Sequence, residues 1–242
     1  MNSPSVSTDT PASTEASSAL RRTSALALCA EFLGVIGAFV AFSVAAGEPA
    51  TACGWCDSNA FDEAVRRILV ADDPSLAAKM SHVLSLGVAP TLAFGSLALP
   101  ALRASKPRHA AQNAAMVLSA FLLTTGLADG VKKLADRERP GFHHGRAALL
   151  EAAHAPLERF LSFFSGDTAW GFVFAAAALS IASRRGYRSA RPVAVAGFAV
   201  AFGVALLRVV ADMHWATDVT AGALAGTAVG YGLPWLLHAR EA

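Results

Sequence analysis

Six long runs of apolar residues decide what this chain can fold into. They cover Ser24–Ala46, His82–Leu102, Asn113–Leu134, Ala169–Ala182, Pro192–Val210 and Thr217–Leu237. A helix needs about 20 apolar residues to cross a bilayer, and most of the runs are near that length. Only 16% of the residues are charged, against about 25% in soluble domains, so a soluble core of this size would lack polar surface to cover it. The sequence therefore predicts an all-α, polytopic membrane bundle of about six transmembrane helices.

A single membrane domain, residues 23–240, is expected to follow a short polar tail. Residues 1–22 are rich in Ser, Thr, Pro and Ala, which predicts disorder. The first apolar run ends in small residues that resemble a signal-peptide cleavage site, but it is longer than the roughly 7–15 residues of a signal h-region, which favours an uncleaved helix. Residues 47–81 are expected to be an outer loop, in which Asp57–Met80 forms either a short interfacial helix or loop filler.

The basic residues orient the bundle. One side has short, densely basic loops around Arg21, Arg103–Arg108, Arg184–Arg191 and Arg240. By the positive-inside rule this side faces the cytoplasm. The loops near residues 47–81, 135–168 and 211–216 then lie on the outer side, which is the periplasmic side of a bacterial inner (cytoplasmic) membrane.

Three polar stretches at the expected outer side carry candidate chemistry. They are residues 132–140, 162–168 and 208–218. Polar residues at membrane helix ends are costly unless they have a function or a partner. Positive charges come from Lys132, Arg139 and Arg208, and an arginine can bind phosphate through two parallel hydrogen bonds.

The other two elements are an anion cradle and a nucleophile. Ser165-Gly166 directly before a helix offers a hydroxyl and free backbone N–H groups to an anion. His214 and Asp218 are four residues apart and share one helix face. Asp218 is expected to accept a hydrogen bond from one ring nitrogen of His214, which leaves the other nitrogen free to attack phosphorus.

These residues resemble the motifs of the type 2 phosphatidic acid phosphatase (PAP2) family, within the acid phosphatase–vanadium haloperoxidase superfamily. The family pattern is Lys-x6-Arg-Pro, then Pro-Ser-Gly-His, then Ser-Arg-x5-His-x3-Asp. In the same order the chain has Lys132-x6-Arg139-Pro140, Ser165-Gly166, and Arg208-x5-His214-x3-Asp218, with Leu207 in place of the leading Ser. The similarity covers roughly residues 82–238.

The resemblance implies a six-helix membrane phosphatase for lipid phosphates that uses no metal and no cofactor. His214 would form a phosphohistidine, and Asp218 would orient it. The phosphate oxygens and the charge of the transition state would be held by Lys132, Arg139, Ser165, Gly166 and Arg208.

The second element departs from the pattern, because Phe164 replaces Pro and Asp167 replaces the His that would protonate the leaving alcohol. An ordinary Asp has a pKa of about 3.9 and is a poor acid at neutral pH, although burial beside a bound phosphate can hold its proton. Three interpretations stay open. Asp167 is the acid, or the leaving group needs little help, as with a diphosphate that releases a phosphate monoester, or the site binds phosphate without hydrolysing it.

The sequence thus predicts hydrolysis of a phosphomonoester or diphosphate lipid at the outer face. The candidate substrates are an isoprenyl diphosphate such as undecaprenyl diphosphate, phosphatidylglycerophosphate, phosphatidate and a lipid A phosphate. The expected partners are this lipid and the surrounding membrane lipids, with no obligate protein partner. A net charge of +2 does not indicate nucleic-acid binding. A phosphate-lipid binding protein and a lipid phosphotransferase are the alternatives, and a transporter is the weakest one.

Several other residues have ordinary explanations. Asp129 is expected to pair with Lys133, and Asp212 with an arginine or with solvent. His143, His144 and His154 are expected to be loop histidines rather than metal ligands, because no clear ligand set accompanies them. Cys53 and Cys56 could form a local disulfide in an oxidising compartment. Glu31, within the first run, is either functional or interfacial.

Overall fold

The computed structural model describes residues 30, 33–48, 52–148 and 159–237. This part of the chain is all-helical and contains no β-strand. Its eight helices are α1 Leu33–Ala45, α2 Ala60–Leu69, α3 Ser75–Arg103, α4 Pro107–Ala135, α5 Pro140–His143, α6 Gly166–Arg184, α7 Ala190–Val210 and α8 Ala216–Leu237. The predicted tail, Glu31 and His154 lie outside the described residues.

Three of these helices are long and apolar enough to cross a membrane, namely α3 and α4 with 29 residues each and α7 with 21 residues. The chain is therefore an integral membrane protein. The all-α prediction is confirmed, while the count of about six spans stays a prediction.

The five apolar runs from His82 onward each lie within a helix, and each helix extends past its run at one end or both. The first run is described only in part, and its last residue, Ala46, follows the end of α1. α3 begins at Ser75, seven residues before its apolar run, so part of the expected outer loop is helical. α2 forms the short helix that was one of two possibilities for this loop. Its N-cap Asn59 accepts a hydrogen bond from the Asp62 backbone N–H, which satisfies a donor that the first helical turn would otherwise leave free.

The core forms around α6, whose residues are almost all buried. Three glycines of α8, spaced four apart, let α8 approach α6 closely. A Cβ on Gly222, Gly226 or Gly230 would meet a backbone carbonyl oxygen of α6 or of its N-cap, those of Ser165, Ala169 and Val173 respectively. Small residues at this spacing allow two helix backbones to touch, which fixes the start of α8 against the start of α6.

Helix directions bring all the polar stretches to one end of the bundle. α4 and α7 end there, with Lys132 and Arg208 in their last turns, and α6 and α8 begin there. α3 also begins there and contains a π-helical turn, Leu84–Val88. Such turns interrupt an α-helix where a side chain must be repositioned and are frequent at functional sites.

A short segment around a disulfide, residues 52–58 (the disulfide segment), covers this end. Cys53 and Cys56 form a disulfide, and the backbone between them contacts the chain after α4. Gly54 N–H donates to the carbonyl of Asp136 at 3.1 Å, and Glu138 N–H donates to the carbonyl of Trp55 at 3.2 Å. The segment therefore holds the stretch that leads to Arg139 in place.

Candidate active site

His214 lies in the loop between α7 and α8 and is 1% exposed. Its Nδ1 is 2.8 Å from the backbone carbonyl of Ser162, and its Nε2 is 3.2 Å from Nη1 of Arg139. A carbonyl oxygen can only accept and a guanidinium can only donate. Both neighbours therefore select the same tautomer, with the proton on Nδ1 and an unprotonated Nε2 whose lone pair accepts from Arg139. An unprotonated Nε2 is the form that can attack phosphorus.

The charge environment keeps His214 in this neutral form. Burial, together with the positive charges of Arg139, Arg208 and Lys132, holds the pKa of His214 well below its usual value of 6.5. The hydrogen bond to Ser162 opposes this shift but does not outweigh it. His214 is thus a neutral imidazole at neutral pH, next to three cations that would attract an anionic substrate.

Asp218 lies near His214, but the prediction that the two share one helix face is wrong, because His214 precedes the first residue of α8, Ala216. Their connection also differs from the sequence prediction. Oδ2 of Asp218 is 3.6 Å from His214 Nδ1, which is beyond a hydrogen bond. The acceptor is the Ser162 carbonyl instead. Asp218 holds that residue through its side chain, because the Ser162 hydroxyl donates to Oδ2 at 2.5 Å. Asp218 therefore orients His214 through Ser162, with a nearby negative charge as a second contribution.

Arg137 holds Asp218 in turn. Its guanidinium lies between two buried carboxylates, with Nη1 2.5 Å from Asp218 and Nη2 2.7 Å from Asp62 of α2. The guanidinium also lies over the ring of Trp55, 4.0 Å from the centroid, a favourable cation–π geometry. These contacts connect α2 and the disulfide segment to the residues that contact His214.

The three predicted cations lie around His214. Arg139 is 2% exposed, and its Nη1 donates to the carbonyl of Met213 at 2.9 Å. Arg208 is 4% exposed, and among the described residues its buried Nε has no hydrogen-bond acceptor. A buried donor of this kind is costly unless something accepts from it. A phosphate oxygen would supply such an acceptor.

Ser165 and Gly166 form the start of α6 as predicted. Ser165 is the N-cap, and its hydroxyl accepts from the backbone N–H of Thr168 at 3.4 Å. Gly166 leaves room at the helix start, where a Cβ would lie 3.6 Å from Nζ of Lys132. A helix N-terminus beside a lysine is a suitable place for a phosphate group.

Asp167 faces a cluster that the sequence did not reveal. The Ser85 hydroxyl donates to its Oδ1 at 2.7 Å, and Nδ1 of His82 is 3.0 Å from the same oxygen. Its Oδ2 is 3.4 Å from Nη1 of Arg208. Donors and a cation on both oxygens favour the ionised carboxylate, which makes Asp167 a poor proton donor.

The structure thus brings together all the residues predicted for the site, and it adds four that sequence reasoning missed: Asp62, His82, Arg137 and Ser162. Asp62 and His82 lie far along the chain from the motifs. Arg137 and Ser162 lie inside the polar stretches. For Arg137 the available signal was its position two residues before Arg139, since residues two apart in an extended segment lie on the same face.

A second cluster of possible metal ligands lies outside this site. Glu63, His143 and His144 each offer one ligand atom, and these atoms lie within 4.8 Å of one another. Both histidines lie within hydrogen-bond distance of a carboxylate, His144 of Glu63 at 3.1 Å and His143 of Glu138 at 3.3 Å.

The other expected ion pairs are present. Asp129 lies 3.1 Å from Lys133. Asp212 takes the arginine alternative and accepts from both Arg66 and Arg146.

Cations around a neutral histidine, at one end of an all-helical membrane bundle, form a site suited to binding phosphate. Residues 113–242 match the sequence model of the PAP2 superfamily. The match covers more than half of the chain, and the chain belongs to this superfamily, whose members are phosphatases of phosphate esters. Comparisons with curated proteins and with solved structures gave no match. His82 and Asp62 precede the matched residues.

Proposed function

We propose that the protein hydrolyses the phosphate ester or anhydride of a membrane lipid through a phosphohistidine on His214. The observation that carries this proposal is the tautomer of His214, since Ser162 and Arg139 together leave Nε2 unprotonated. A nucleophile needs this lone pair at neutral pH, and the lowered pKa of His214 keeps it available.

The surroundings of Nε2 fit a phosphoryl group in its transition state. Lys132, Arg139 and Arg208 contribute three positive charges close to the nucleophile, and all three act on His214. The start of α6 adds backbone N–H groups beside Lys132. Charge that develops on the equatorial oxygens during transfer would be stabilised by donors already fixed in place.

A lipid substrate follows from the position of the site. Arg208 lies in the last turn of a helix long enough to span a membrane, and Lys132 lies in the last turn of another. A phosphate bound between them would sit at the edge of the hydrocarbon layer. A lipid can place its head group there while its chains stay in the bilayer. The candidate lipids are the four named from the sequence.

The outer side of the membrane is the proposed location of the site. The Cys53–Cys56 disulfide lies in the segment that contacts Asp136 and Glu138, beside the site. Disulfides persist in oxidising compartments and are rare in the cytosol. This agrees with the distribution of basic loops, which assigns the other end of the bundle to the cytoplasm.

The test is phosphate release by the purified full-length protein in detergent micelles, across the four lipid classes. We expect His214→Ala to abolish release and His109→Ala, a histidine near the start of α4 at the opposite end of the bundle, to retain it. Brief incubation with radiolabelled substrate should trap an acid-labile phosphoenzyme only when His214 is present. Unchanged release by His214→Ala would exclude the proposed mechanism.

The same assay separates the two alternatives. A phosphate-lipid binding protein would retain labelled lipid without releasing phosphate, and this outcome would overturn the proposal. A phosphotransferase would move the label to an added acceptor alcohol in preference to water.

A further inference from the structure

We infer that His82 of α3 donates the proton to the leaving group, and that Asp167 positions His82 for this role. The inference rests on the proposed function, because it concerns the same phosphoryl transfer. His82 lies outside the residues that match the superfamily, and its role comes from geometry alone.

The first observation is the contact between the two side chains. Nδ1 of His82 is 3.0 Å from Oδ1 of Asp167. The Ser85 hydroxyl, one turn along α3, donates to the same oxygen at 2.7 Å. Asp167 is therefore an acceptor, and His82 must present its Nδ1–H to it. A carboxylate at Nδ1 fixes the ring orientation and stabilises the imidazolium, which is the form that can act as an acid through Nε2.

The second observation is accessibility. The side chain of Asp167 is 11% exposed, whereas that of His82 is 59% exposed. The carboxylate is thus enclosed, while the imidazole has room for a leaving group at Nε2. A general acid must reach the departing oxygen, and the exposed imidazole is better placed for this than a buried carboxylate whose oxygens contact three partners.

The third observation connects His82 to the phosphate site. Asp167 directly follows Gly166 in the first turn of α6 and contacts Arg208 at 3.4 Å. The ring of Trp170 lies near the position of a Cβ on Gly166, at 3.9 Å, and its centroid is 6.5 Å from that of His82. Among the described residues, the buried indole N–H of Trp170 has no acceptor. A leaving group that extends from the phosphate toward His82 would pass Trp170, whose indole N–H would then have an acceptor.

The proton and the electrons balance as follows. Nε2 of neutral His214 forms a bond to phosphorus, the bond from phosphorus to the leaving oxygen breaks, and that oxygen keeps the electron pair. It takes the proton from Nε2 of the His82 imidazolium and departs as a neutral alcohol. Neutral His82 then accepts a proton from the water that attacks the phosphohistidine. This second step releases phosphate and restores both histidines.

The test measures kcat/KM for two substrates that differ in how much they need an acid. One is a phosphatidate with an alkyl alcohol as leaving group, and the other is 4-nitrophenyl phosphate, whose phenol departs as a stable anion. General acid catalysis contributes about 10²–10⁴-fold. We expect His82→Gln to lower kcat/KM for phosphatidate by that range and for the aryl phosphate by less than about tenfold.

Two variants complete the design. Asp167→Asn should show the same selectivity with a smaller loss, because it weakens the position of His82 and leaves the ring in place. Met80→Gln changes an exposed residue of the same helix and should leave both values within about twofold of the wild type.

Equal losses of His82→Gln on the two substrates would show that His82 has only a structural role. No loss on either substrate would also overturn the inference. In both cases His214→Ala would still abolish release if the proposed function holds. Failure of the inference is therefore distinct from failure of the function, in which His214→Ala itself retains activity.

Discussion

Asp62 is expected to be the residue of α2 on which stability depends most. It is 0% exposed, and both of its oxygens accept hydrogen bonds. Oδ1 accepts from the backbone N–H of Thr217 at 2.8 Å, and Oδ2 accepts from Nη2 of Arg137 at 2.7 Å. The side-chain amide of Asn59 also donates to Oδ2. The change to test is Asp62→Asn, which preserves shape and removes both the charge and one acceptor.

The magnitude follows from these contacts. Removal of one partner of a buried ion pair costs about 3–5 kcal/mol. Arg137 keeps its pair with Asp218, which favours the lower limit. An asparagine would also turn its NH₂ group toward a donor in either orientation, because every partner of Asp62 named above is a donor. We expect a loss of about 3 kcal/mol, which lowers Tm by about 6–12 °C for a chain of this size.

Thermal unfolding of the purified protein in one detergent, monitored by circular dichroism, measures this shift. The matched control is Asp57→Asn, the same chemical change at an exposed position shortly before α2, with an expected shift near zero. Phosphate release should also fall in Asp62→Asn, because Arg137 loses part of its support and Asp218 lies behind Ser162. A Tm for Asp62→Asn equal to that of the control would refute the view that α2 is fixed by this buried pair.

Two further outcomes are expected in the same unfolding assay. Gly226→Ala should destabilise the protein by about 1–3 kcal/mol, because its Cβ would meet the carbonyl of Ala169. Gly232→Ala on the same helix has open space and should be neutral or slightly stabilising. Similar shifts for the two variants would contradict the close approach of α8 to α6. The wild type should also lose stability relative to His214→Gln as pH falls below about 6.5, by at most about 1.4 kcal/mol per pH unit. The pKa of His214 is lower in the folded protein than in the unfolded chain, so protonation at falling pH favours the unfolded chain. If the stability of the wild type and of His214→Gln fell in parallel with pH, a buried neutral His214 would be contradicted.

Much of the fold could be predicted from hydrophobicity alone. Bilayer-length apolar runs have few alternatives to helices, because every backbone polar group must be satisfied inside the segment. The start of α3 could not be predicted in this way. Ser75–Ser81 carries Lys79 and other polar residues, and it is helical because it continues a helix whose later turns are packed. Tertiary context, rather than local composition, extends the helix there.

The candidate site, like the fold, could be predicted from the sequence only in part. The spacing of His214 and Asp218 predicted their proximity, although His214 precedes α8 and does not share a helix with Asp218. It could not reveal that Ser162 stands between them, since that contact joins residues 52 apart in the chain through a backbone carbonyl. A side-chain pattern contains no information about which main-chain groups a loop will present. The Arg137–Asp62 pair, 75 residues apart, was hidden for the same reason.

The proposed role of His82 as proton donor shows why a residue that departs from the family motif need not abolish activity. A motif records which residue occupies a position, whereas a general acid is defined by whether its proton can reach the leaving oxygen. The start of α6 is packed against the start of α3, and His82 and Ser85, three residues apart, lie on one face of α3. An imidazole from α3 can therefore serve the region next to Gly166 as well as one from α6, provided that a carboxylate holds it. In this arrangement Asp167 does not replace the motif histidine as the acid but positions His82, a histidine distant in sequence, for that role.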